Sequence, residues 1–114
     1  MQVVLVVDDD ETILVVMART LAEEGYAVHS AASAKDAVRL AEALHGRLRL
    51  VITDIRMPDM SGIELADLAT QRHGGLKIIL ISGYYVSQQV ERRFLRKPFR
   101  MRDLEDAVRA ELDI

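Results

Sequence analysis

The chain has 114 residues, half of them hydrophobic, which is enough apolar material for one compact domain, 1–114, with a core of its own. Its net charge of −3 comes without a basic block or a basic, aromatic-interleaved stripe, so this domain shows no nucleic-acid surface. It has no cysteine for a disulfide framework or thiolate metal site, no signal-peptide pattern in its first residues and no apolar run long enough to cross a bilayer; a cytoplasmic placement without membrane insertion is the simplest.

In chain order, the hydrophobic pattern alternates between strand-like and helix-like stretches. Strands are predicted over 3–7 (VVLVV), 27–31, 48–53, 77–82 (KIILIS) and 93–96. Amphipathic helices are predicted over 11–24, 34–44, 63–72, a short 87–92, and 101–112. Ser33, Ser61 and Ser87 stand where helix N-caps belong, and Gly25, Gly46 and Gly74 follow helix ends. The strands over 3–7 and 77–81 are apolar throughout apart from Lys77, which fits strands covered on both faces. A β-α unit repeated five times with such strands implies a parallel sheet with helices on either side.

In open α/β sheets ligands bind beyond the carboxyl ends of the strands, where the strand order reverses. The residues just past those ends are Asp8 and Asp9, Asp54, Ser82 and Gly83, and Lys97 and Pro98. Three carboxylates, a hydroxyl and an ammonium therefore converge on one edge. Clustered carboxylates repel unless a hard cation joins them, and an oxygen-rich site suits Mg²⁺ or Mn²⁺.

The succession VVDDDE, VITDIRMPDMSGIEL, IILISG and FLRKPF resembles the receiver domain of two-component response regulators over essentially the whole chain. The resemblance implies a flavodoxin-like (βα)5 doubly wound sheet of order 2-1-3-4-5. It makes Asp54 the phosphoacceptor, attacking a phosphohistidine on a histidine kinase or phosphotransfer protein. It assigns the cation to Asp9, Asp54 and the backbone carbonyl of Arg56, with Asp8 joining through water and Lys97 as a second positive contact. Ser82 would bond the phosphoryl oxygens, and Phe94 matches the aromatic switch that changes contacts with a downstream target or attached output domain. A cis Lys97–Pro98 bond is also implied.

Simpler readings exist for single residues. Asp10 or Glu11 alone reads as a helix cap, whereas capping does not explain Asp8 and Asp9 as a pair. On residue type Phe94 is a core residue as readily as a switch, and His29, His45 and His73 read as surface histidines. A different enzyme class also fits part of the pattern: DDDET resembles the first motif of haloacid-dehalogenase-type phosphatases, with Asp8 as nucleophile and Asp10 as general acid. That likeness fails because the required later acidic pair is missing; Asp103, Glu105 and Asp106 fall inside the last helix. A receiver-like module that binds without phosphorylation is a third reading, against which every active-site position carries a workable residue.

Two departures concern regulation. Ser82 and Lys97 are only 15 positions apart, so the fourth helix is shortened. In the first helix the expected core stripe is Ile13, Val16, Met17, Thr20 and Leu21, leaving Leu14 and Val15 as an exposed apolar patch fit for partner docking. The sequence shows no output domain, and a stand-alone receiver, part of a hybrid kinase and part of a longer regulator all stay open.

Overall fold

The computed structural model describes residues 1–83 and 92–112. Five strands, β1 (Val3–Val7), β2 (Ala27–Ala31), β3 (Leu48–Asp54), β4 (Lys77–Ser82) and β5 (Arg93–Arg96), form one parallel sheet in the order β2-β1-β3-β4-β5. Four helices among the described residues connect and cover it: α1 (Glu11–Glu23), α2 (Ala34–Ala43), α3 (Gly62–Arg72) and α4 (Met101–Leu112). The short helix predicted over 87–92, with its cap Ser87, lies outside the described residues except for Arg92, which sits in a bend before β5. Among the described residues no helix is long and apolar enough to cross a membrane.

Alternating side chains of the central strands feed two separate cores. Leu5, Val7, Val51 and Leu80 pack beneath α2 and α3, while Val4, Val6, Leu50, Ile52, Ile79 and Ile81 pack beneath α1 and α4. Both faces of β1, β3 and β4 are thus covered, which explains the continuous apolar runs of β1 and β4. Three helix starts carry a local cap. The Asp10 carboxylate accepts from the amides of Thr12 and Ile13, Ser33 Oγ from that of Asp36, and Ser61 Oγ from that of Ile63.

The phase of α1 corrects the expected stripe. Leu14, Met17 and Leu21 are buried, Ile13 and Thr20 half-buried, and Val15 and Val16 exposed. Leu14 is therefore a core residue rather than part of a docking patch, and Val16 takes its place at the surface. Four consecutive apolar residues, Ile13 to Val16, leave the phase undetermined by themselves. The spacing from Leu14 to Met17 and Leu21 sets it, and Val16 lies about 200° around the helix from Leu14.

His73 is the second correction. It is buried at the end of α3, its Nδ1 2.6 Å from that of His45 beyond α2, a distance that fits one shared N–H···N hydrogen bond. His29 and His45 are exposed as expected.

Candidate functional site

The strand register brings the chemistry to one edge. Val7 pairs with Thr53, Asp54 with Ile81, and Ser82 with Arg96, so β1, β3, β4 and β5 all run out at the same level. The order reverses between β1 and β3, where an open α/β sheet leaves a crevice. Asp8 and Asp9 follow β1 and Asp54 ends β3, and one carboxylate oxygen from each lies within 4.8 Å of the others. Lys97 follows β5, its amide bonded to the Ser82 carbonyl at 2.9 Å and its peptide bond to Pro98 cis, as expected.

Asp8 is fully buried and both of its oxygens are engaged. Oδ1 accepts from the Asp10 amide at 2.9 Å, and Oδ2 accepts from Lys97 Nζ at 3.0 Å. Lys97 Nζ also stands 3.6 Å from Asp54 Oδ1. Burial alone would lower the Lys97 pKa, but its hydrogen bond and charge pairing with Asp8, and then with Asp54, outweigh that and hold it above the ordinary value. Asp54 shows the opposite balance. Burial, then the like charge of Asp8, raise its carboxyl from 3.8 to about 6 against the pull of Lys97. Asp9 is exposed at the rim, where an open cleft runs along Ile55, Arg56, Met57, Pro58 and Ser61.

Three carboxylates facing one ammonium leave the pocket with excess negative charge. All of their donors are hard oxygens, the set a Mg²⁺-sized cation takes, and the structure thus fits a divalent ion at Asp8, Asp9 and Asp54.

The remaining expected residues fall nearby. Ser82 is buried at the end of β4, one residue past Ile81, the ladder partner of Asp54. Phe94 is half-buried on β5, packed against the core under α2 and α3. Asp10, the general acid of the phosphatase reading, is spent on capping α1, and Asp103, Glu105 and Asp106 lie within α4. The loop between β3 and α3 holds a constraint that spacing did not reveal: a Cβ on Gly62 would collide with the Asp54 carbonyl oxygen and stand 2.9 Å from its carbon. Glycine there lets α3 begin against the backbone of Asp54 itself.

Residues 4–109 match the family model described as the response regulator receiver domain. The chain belongs to that family. It is 32% identical over 117 residues to the sensor kinase CckA of Brucella abortus, covering 96% of this chain but only 12% of the kinase. A CheY-like receiver domain protein of Methanospirillum hungatei has the same fold, with a TM-score of 0.90, 31% identity and coverage of 99% of this chain and 94% of that one. The response regulator TrrA of Thermotoga maritima, solved in complex with Mg(2+)-BeF, matches with a TM-score of 0.84 at 32% identity over 96% of this chain and 98% of its own. The protein is thus a receiver domain of two-component systems, a signalling switch.

Proposed function

We propose that Asp54 is the phosphoacceptor of this receiver, taking a phosphoryl group from a phosphohistidine of a histidine kinase or phosphotransfer protein. The observation that carries this reading is the Asp54 carboxylate itself, nearly buried, 3.6 Å from Lys97 Nζ and shouldered by Asp8 and Asp9. In the metal-free pocket burial and Asp8 hold the Asp54 carboxyl above the ordinary aspartate value, at about 6, so it is mostly ionised at neutral pH and available as a nucleophile. An Asp54 oxygen attacks phosphorus, the phosphorus–nitrogen bond breaks, and the imidazole of the donor leaves, giving an acyl phosphate that water later hydrolyses.

Asp8, Asp9, Asp54 and the Arg56 carbonyl would hold Mg²⁺ or Mn²⁺, which neutralises charge on the phosphoryl oxygens. Lys97 would supply a second positive contact, and its bond to Asp8 holds it beside Asp54. Ser82 donates its hydroxyl to a phosphoryl oxygen once Asp54 is modified. Phe94, three residues before Lys97, follows that shift and alters the face offered to a downstream protein or attached output domain. In this sense the domain assists its own phosphotransfer and dephosphorylation.

Val15 and Val16 form an exposed apolar step on α1, the helix that starts beside the acidic pocket, and we assign it to docking of the phosphoryl donor. A phosphohistidine donor of this class would meet the domain in the cytoplasm. The test is intact mass and peptide mapping after incubation with acetyl phosphate, with Mg²⁺ or EDTA. One metal-dependent phosphoryl group on Asp54, absent in Asp54→Asn, is expected; a label on Asp8 or on no residue overturns the assignment.

A further inference from the structure

Asp59 lies in the loop after Asp54, yet its carboxylate is spent on another element. Oδ1 accepts from the amide of Ala34 at 3.3 Å and Oδ2 from that of Lys35 at 2.9 Å, the first two residues of α2. The ordinary cap is already present, since Ser33 Oγ takes the amide of Asp36 at 3.1 Å. A helix start leaves four amides without intrahelical partners, and here one side chain 24 and 25 residues along the chain takes two of them while Ser33 takes a third. Its charge also faces the positive end of the α2 dipole, and its carboxyl sits below the ordinary aspartate value chiefly through the Lys35 amide bond.

The same corner reaches the other side of the pocket. The carbonyl of Ala31, three residues before Ala34, accepts the amide of Asp8 at 3.2 Å. The turn from β2 into α2 is therefore bonded both to the residue under the acidic pocket and to the loop that walls it. That loop is tied at its base by Ile55 N to the Ile81 carbonyl, 2.8 Å, and by Gly62 N to the Ile55 carbonyl, 2.9 Å. Asp59 is its outer tie.

We propose that Asp59 is a positioning residue: by clasping the start of α2 it sets where the Arg56–Met60 backbone stands against Asp8, Asp9 and Asp54, and so sets the affinity of the pocket for a divalent cation. The consequence for phosphoryl uptake rests on the function proposed above; the consequence for cation binding does not.

The test compares Asp59→Ala, Asp59→Asn and Ser33→Ala by amide NMR titration with Mg²⁺, thermal unfolding and acetyl phosphate uptake. Asp59→Ala is expected to weaken Mg²⁺ binding about tenfold, the scale of lost outer-shell support. Its uptake rate should fall at low Mg²⁺ and recover at saturation. Asp59→Asn keeps one amide acceptor and should fall between parent and alanine variant, and it carries the comparison if Asp59→Ala does not fold. Ser33→Ala removes a cap of the same helix and should lower the melting temperature while leaving Mg²⁺ affinity unchanged. Parent-like Mg²⁺ affinity in both Asp59 variants, or equal weakening in Ser33→Ala, overturns the proposal. A parent protein that binds Mg²⁺ but takes no phosphoryl group at Asp54 refutes the proposed function and leaves the Mg²⁺ comparison to decide Asp59.

Discussion

Replacing Asp54 with asparagine should make the metal-free protein more stable while removing its chemistry. Burial, then Asp8, raise the Asp54 carboxyl from 3.8 to about 6, a difference of about 3 kcal/mol between its two protonation states. The folded protein holds this proton to higher pH than the unfolded chain does. The stability it contributes is complete below the unfolded value and is lost as pH rises through about 6. Asparagine has no charge to lose or gain. In EDTA, the variant should exceed the parent by up to about 3 kcal/mol near pH 8, with the gap closing near pH 4. Urea unfolding across that range measures it, and millimolar Mg²⁺ should narrow the gap at high pH because the parent keeps the full carboxylate set. A variant less stable than the parent near pH 8, or a gap that does not change with pH, would refute the electrostatic account of the pocket.

The corrected phase of α1 separates two neighbours: Leu14→Ala should cost about 2–4 kcal/mol in urea unfolding, whereas Val15→Glu should leave stability nearly unchanged. Val15→Glu should also slow transfer from a cognate phosphohistidine donor without slowing uptake from acetyl phosphate, and equal rates with both donors would remove the docking assignment. Gly62→Ala should force the start of α3 away from the Asp54 carbonyl, with a loss of several kcal/mol read by unfolding; a parent-like melting curve would show that the loop yields freely. Burial first, then His45, lower the His73 pKa, and the folded state therefore favours neutral imidazole. The stability that neutral His73 contributes is lost as pH falls through the ordinary histidine range, opposite in sign to Asp54, and His73→Gln should flatten the decline between about pH 7 and 5.

The strands were legible because β1 and β4 are buried on both faces and read as apolar blocks with sharp polar ends, and because β3 keeps Leu50 to Ile52 apolar between Arg49 and Thr53. Those ends carry Asp8, Asp54 and Ser82, which is why the site could be placed from the chain alone. The α1 phase was not legible where Ile13 to Val16 gave no polar residue to mark the outer face. Long-range polar pairings were hidden for another reason. Asp59 reads as a turn residue and His73 as a surface histidine until the fold brings Ala34, Lys35 and His45 to them, 24 to 28 positions away. Gly62 gave the same difficulty: in sequence it is one more turn glycine, and only the backbone of Asp54 behind it makes side-chain absence a requirement.

The bond between Asp8 and Lys97 joins residues 89 positions apart and runs from the inner strand β1 to the end of the edge strand β5. β5 is four residues long and largely half-exposed, so it has little hydrophobic grip of its own. The Lys97 ammonium, proposed above to meet a phosphoryl group, is also a staple between β1 and β5. Any new anion that competes for Lys97 loosens that staple, and the hold on the sheet's edge then depends on the charge state of its centre.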